Sequence, residues 1–126
     1  MRVEQLMAKS PETCRPDDTL REAAQIMLCN ECACLPVTAS DGSERLAGMI
    51  TDRDICRATR FRWATLEELR VRHAMTTNIR PCHPGDTLAE AEAAMREARV
   101  LHLPVVDESE QVIGVLSRAD LVREAA

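Results

Sequence analysis

Three cysteines, Cys29, Cys32 and Cys34, fall within six residues, and thiolates at such spacing are the raw material of a zinc site or a redox switch. A strong zinc signature, however, has two separated ligand pairs. Here a fourth ligand has to come from Cys14, Cys56, His73, His83 or His102, with no clear spacing. A cysteine-based metal or redox switch on Cys29, Cys32 and Cys34 therefore stands as an alternative rather than the leading reading. The other residues with chemical potential are two hydroxyls, each followed three positions later by a carboxylate: Thr51 with Asp54, and Ser117 with Asp120. Such a pair is a helix capping box that needs no ligand. It also sits where the opening of a helix presents free amide donors to an anion.

Enzyme signatures are absent. There is no glycine-rich phosphate loop, no nucleophile elbow and no metalloprotease helix, and the chain has only four glycines. A thiol-disulfide oxidoreductase built on Cys29 and Cys32 is the one enzymatic candidate, and the expectation is that the protein is not an enzyme and requires no cofactor.

The elements that position these residues follow from an internal repeat. Shifting the chain by 68 residues lays Arg2, Val3 and Met7 on Arg70, Val71 and Met75; Cys14, Pro16, Asp18, Thr19 and Leu20 on Cys82, Pro84, Asp86, Thr87 and Leu88; and Leu35, Pro36 and Val37 on Leu103, Pro104 and Val105. A longer turn through Asp41 and Gly42 then lowers the offset to 66, so that Gly48, Asp54 and Arg57 match Gly114, Asp120 and Arg123. Each half reads as strand, helix, strand, strand, helix. The first helix opens at Thr19 or Thr87, whose hydroxyl and the following Glu22 or Glu90 make a capping box, and Leu20, Ala23, Ala24 and Met27 recur at helical spacing. Leu35 to Thr38 and Leu46 to Ile50 flank a polar turn, as do Leu103 to Val106 and Gln111 to Leu116, the pattern of two hairpins. The second helix opens at Thr51 or Ser117. A half-module has too little sheet to be stable alone, so the two are expected to pack sheet against sheet. Residues 59–69 form a partly helical linker between repeats at 1–58 and 70–126, and Phe61 and Trp63 in it are expected to cover the core or to sit in a dimer interface.

Composition bounds the partners. A formal net charge of −5 argues against nucleic acid, because phosphate neutralisation needs a basic face, and one Phe, one Trp and no Tyr leave no stacking platform for single strands. No apolar run is long enough to cross a bilayer, and the N-terminal residues mix Arg2, Glu4 and Gln5 among apolar ones, unlike a secretory signal. A cytoplasmic location with reduced thiols is expected.

Gly48, Met49, Ile50, Thr51, Asp52, Arg53, Asp54 resembles the signature of CBS (cystathionine-beta-synthase) domains, and Gly114, Val115, Leu116, Ser117, Arg118, Ala119, Asp120 repeats it. With the Leu-Pro-Val triplets and the opening segments ending at Met7 and Met75, the resemblance to a tandem pair of such domains, a Bateman module, spans essentially the whole chain. It implies an α/β fold of two β-α-β-β-α repeats packed sheet to sheet about a pseudo-two-fold axis, with two clefts that take adenosine-containing ligands such as AMP, ATP or S-adenosylmethionine. It implies that Thr51 and Asp54 mark one cleft, where the carboxylate accepts from ribose hydroxyls, and that Ser117 and Asp120 mark the other. By the same resemblance the first cleft borrows His102, with Arg53 or Arg57 near a phosphate and the backbone around Asn78, Ile79 and Arg80 near the base, while the second receives Cys34. A protonated His102 would make that contact sensitive to pH. The first cleft is the preferred site. The resemblance further implies a homodimer and a regulated partner protein, and it leaves open a ligand-free structural adaptor.

Overall fold

The computed structural model describes residues 1–61 and 64–125; Trp63 and the side chain of Phe61, and with them the expectation of an aromatic cover, lie outside the described residues. Along the chain come α1 (Val3–Leu6), β1 (Ala8–Lys9), α2 (Leu20–Cys29), β2 (Cys34–Thr38), β3 (Leu46–Thr51), α3 (Asp52–Phe61), a 3₁₀ turn (Val71–His73), α4 (Leu88–Ala98), β4 (His102–Val106), β5 (Val112–Ser117) and α5 (Arg118–Ala125). The expected mixture of helix and sheet is present, in two separate sheets.

The Thr19 and Glu22 box forms in both directions, while Thr87 caps its helix through its hydroxyl alone. The Thr19 hydroxyl accepts from the Glu22 amide at 3.0 Å and that of Thr87 from Glu90 at 3.1 Å, satisfying donors that the first helical turn leaves unpaired. Both hairpins form too: β2 pairs antiparallel with β3, Leu35 opposite Ile50, and β4 with β5, Leu103 opposite Leu116. Each carries a bulge one step before its turn, at Val37/Thr38 and at Val105/Val106. At the start of each repeat the segments at Val3 and Val71 are single helical turns, leading into the two-residue β1 in one case and an isolated bridge from Thr76 to Met49 in the other.

The chain forms two compact units, Glu12–Asn78 and Met1–Pro11 with Ile79–Ala126. Their boundaries do not follow the sequence repeats, because the opening segment of each repeat packs into the other repeat's core. In the unit of residues 12–78, Val71 is fully buried with Leu20, Leu35, Val37, Ile50 and Ile55. In the other, Val3 takes the matching place among Ala91, Met95, Leu103, Val105 and Leu116. Burying such a valine contributes on the order of 1.5–3 kcal/mol. Backbone bonds fix the segments: the amides of Val3 and Glu4 donate to Asp86 and Pro84 at 2.9 and 3.0 Å, and those of Val71 and Arg72 to Asp18 and Pro16 at 2.8 and 2.9 Å. Beyond the turn, β1 adds a third strand beside β5, with Lys9 opposite Gly114.

Candidate ligand site at the opening of the second helices

β3 runs directly into α3, and the junction is closed by a reciprocal pair of bonds. The Asp54 amide donates to Thr51 Oγ1 at 3.1 Å, and the Thr51 amide donates to Asp54 Oδ2 at 2.9 Å. The same box joins β5 to α5, with 3.1 Å for each of the two bonds between Ser117 and Asp120. The two junctions differ in what the second carboxylate oxygen does. Asp120 Oδ1 is taken by the guanidinium of Arg123, one turn further along α5. The matching Arg57 makes no hydrogen bond or ion pair among the described residues, so Asp54 keeps Oδ1 available as an acceptor. Asp54 and Thr51 are half-buried, and Arg53 and Arg57 are exposed on α3.

The remaining expected residues divide between the units. Register pairs Cys34 with Thr51 on β2 and β3, and His102 with Ser117 on β4 and β5. His102 and Ile79 are half-buried in the unit that contains β4. Thr51, Asp54, Arg53 and Arg57 all belong to the unit of residues 12–78. Arg80, beside Ile79, is exposed and ion-paired with Glu97 at 3.5 Å. Sequence reading paired Arg57 with Arg123 across the repeat but named only the first as a site residue. A carboxylate stands three residues before each arginine, and only Arg123 pairs with its own.

The cysteine cluster does not assemble. Among the described residues no group of three His, Cys, Asp or Glu side chains is placed to hold a metal ion. The reason is local: Cys29 is exposed as the last residue of α2, whereas Cys34 is buried as the first residue of β2. Burial, with the nearby Cys32 and Asp52 adding to it, pushes the Cys34 thiol up to about 12, and burial also raises Cys32. A redox pair or thiolate ligand set wants the opposite shift. Cys14 and Cys82 are likewise buried and pushed up to about 12, by desolvation first and then by Asp18 and Asp86 respectively; each bridges to the fourth residue of a strand, Val37 or Val105, as small apolar filler would.

The CBS domain family model matches residues 3–60 and again 71–126. The chain belongs to the CBS domain family, as a tandem pair. A CBS domain-containing protein of Dictyostelium discoideum is 36% identical over 129 residues, covering 95% of this chain and 88% of its own length. A homoserine O-acetyltransferase of Methanocorpusculum labreanum is 32% identical over 121 residues; the alignment covers 96% of the CBS pair but only 23% of that relative. Among solved structures, the CBS domain pair of protein MJ0100 in complex with 5'-methylthioadenosine and S-adenosyl-L-methionine superposes with a TM-score of 0.88 at 25% identity over the full length of both chains. Hypoxic Response Protein I with two coordinated zinc ions superposes at 0.86, also 25% identical, with 98% of each chain covered. No helix among the described residues is long and apolar enough to cross a membrane.

Proposed function

We propose that this CBS domain pair is a non-catalytic regulatory module that takes an adenosine-containing ligand, of the AMP, ATP or S-adenosylmethionine type, at Thr51 and Asp54. The observation that carries the reading is the Asp54 carboxylate: one oxygen is locked by the Thr51 amide, which fixes its direction, and the other is left to accept from the two hydroxyls of a ribose. A bond to a charged acceptor of this kind contributes about 1.5–3 kcal/mol. Support for the ligand class comes from the similar CBS pair of MJ0100, which binds two adenosyl compounds.

In this reading Arg53 and Arg57 face the ligand's anionic end, with His102 and Ile79 as the further residues expected to contact the ligand. A second cleft, with Ser117, Asp120 and Cys34, is the weaker one because Arg123 occupies its carboxylate. The module acts in the cytoplasm as a homodimer and passes the state of the cleft to a regulated protein. That step requires the ligand to bind one arrangement of the repeats more tightly than another.

The test is calorimetric titration of the reduced protein with AMP, ATP and S-adenosylmethionine, with Asp54→Ala and Asp120→Ala alongside and bound zinc assayed in the same preparation. Micromolar binding that weakens roughly 10- to 100-fold in Asp54→Ala supports the reading. Binding to none of the three, or a ligand indifferent to Asp54, overturns it. Stoichiometric zinc would return the cysteines to the centre.

A further inference from the structure

The two opening turns are capped by the same bond from different residues. The Arg2 amide donates to Gln5 Oε1 at 2.7 Å, and the Arg70 amide donates to His73 Nδ1 at 2.9 Å; Gln5 and His73 correspond at the 68-residue offset. The rest of the arrangement is shared. Each arginine sends its guanidinium to the segment its turn rests on, Arg2 to Gly85 O at 3.2 Å and Arg70 to Asp17 O at 3.0 Å. Each turn closes with a 2.9 Å bond, from Met7 to Val3 O and from Met75 to Val71 O.

The caps differ in one chemical respect. An amide oxygen accepts at any pH, whereas an imidazole nitrogen accepts only while it carries no proton. For Nδ1 to accept from Arg70, the neutral ring must carry its hydrogen on Nε2, and the proton gained in acid then goes to Nδ1 itself. That proton removes the acceptor and adds a cation to a turn that already holds Arg70 and Arg72. No carboxylate compensates. The turn rests on the segment before α2 through the bond from Val71 to Asp18 O at 2.8 Å, and the end of the linker meets the start of α2 through the bond from Leu20 to Leu69 O. The acids of these elements are engaged elsewhere: Asp17 with Arg72, Asp18 with the Arg15 amide, Glu22 with Thr19, Glu67 with Arg21 and Glu68 with Thr65. Among the described residues His73 makes no ion pair.

We propose that His73 is a pH-sensitive latch on the opening turn of the second repeat. Neutral, it holds the turn that buries Val71 in the core of residues 12–78. Protonated, it releases the Arg70 amide and loosens the segment from Val71 to Thr76. Thr76 exchanges both backbone bonds with Met49, so the loosening reaches the edge of β3 two residues before Thr51. The first repeat, capped by Gln5, has no such response.

The experiment is amide hydrogen exchange at about pH 7.5 and about pH 5.5, expressed as protection relative to the unfolded rate so that the ordinary pH dependence of exchange cancels. Protection of Val71, Arg72 and Thr76 is expected to fall roughly 3- to 10-fold in acid, the weight of one cap bond, while Val3 and Glu4 keep theirs. His73→Gln gives the second turn the cap of the first, and is expected to fold and to abolish the loss. Gln5→His is expected to confer the loss on Val3 and Glu4. Wild-type protection that stays constant at the second turn, or a loss that persists in His73→Gln, overturns the proposal. So does a Gln5→His protein whose first turn ignores pH, since the two caps share one geometry. Exchange is measured without nucleotide, so the outcome is independent of the ligand site at Thr51 and Asp54.

Discussion

Gly48 and Thr76 lie in contact across the edge of β3. A Cβ on Gly48 would stand 2.7 Å from the Thr76 carbonyl oxygen, and Met49 next to it exchanges both backbone bonds with Thr76, at 3.0 and 2.9 Å. The signature glycine is thus a packing requirement: it lets the opening segment of the second repeat lie along the first repeat's hairpin. Gly48→Ala is expected to destabilise the protein by about 1–3 kcal/mol. Gly114→Ala should cost less, since the closest atom there is the flexible sulfur of Met7 at 2.6 Å and the Ala8 carbonyl is at 3.0 Å. Urea unfolding of the two variants checks the order; equal midpoints would contradict it.

Removal of residues 1–11 takes Val3 and β1 away from the core around Leu103 and Leu116. Amide exchange is expected to accelerate in β4 and β5 well before β2 and β3, whose own opening segment at Val71 is retained. Uniform acceleration would argue against the division into these two units.

The thiols separate by burial. Cys29 and Cys56 are exposed and should react with an alkylating reagent at once, whereas Cys14, Cys34 and Cys82 should react only on unfolding. The same three groups make stability depend on alkaline pH. Their folded pKa of about 12 lies above the unfolded value near 9, so the unfolded chain loses its protons first. Stability is full below pH 9 and falls from there to about pH 12, by at most ~1.4 kcal/mol per pH unit per thiol. Cys14→Ala should flatten that slope measurably; an unchanged slope would mean that this thiol does not titrate with unfolding.

Because Arg123 holds Asp120 while Arg57 leaves Asp54 open, one ligand per chain is expected in a titration, and Asp120→Ala should bind as the wild type does. Arg123→Gln should leave stability within about 0.5 kcal/mol, as expected of a pair with one exposed partner. Two equivalent sites in the wild type would show that the ligand displaces Arg123.

Much of this fold is written locally. Thr19 with Glu22 and Thr87 with Glu90 mark helix starts because a cap involves residues three apart, and the two hairpins follow from short apolar runs around polar turns. The opening turns were not legible, because a single turn is too short to show a period and its shape comes from remote carbonyls, those of Asp86 and Pro84 for Val3 and Glu4. Nor does the repeat itself disclose the exchange, since Val3 and Val71 would suit either core. At the site, the box between Thr51 and Asp54 was legible, while the availability of its second oxygen was not. Arg57 and Arg123 occupy the same position three residues after the aspartate, and only the side-chain course separates them.

The exchange of opening segments also sets an order of events on the ribosome. Once Asn78 has emerged, the unit of residues 12–78 has every piece it needs. Residues 1–11, made before that unit, must wait with Val3 uncovered until residues 79–126 have followed, on the order of several seconds at roughly 5–20 residues per second. During that interval the turn at Val3 is open to a chaperone, a protease or a neighbouring copy, until the later-made strands around Leu103 and Leu116 close over it.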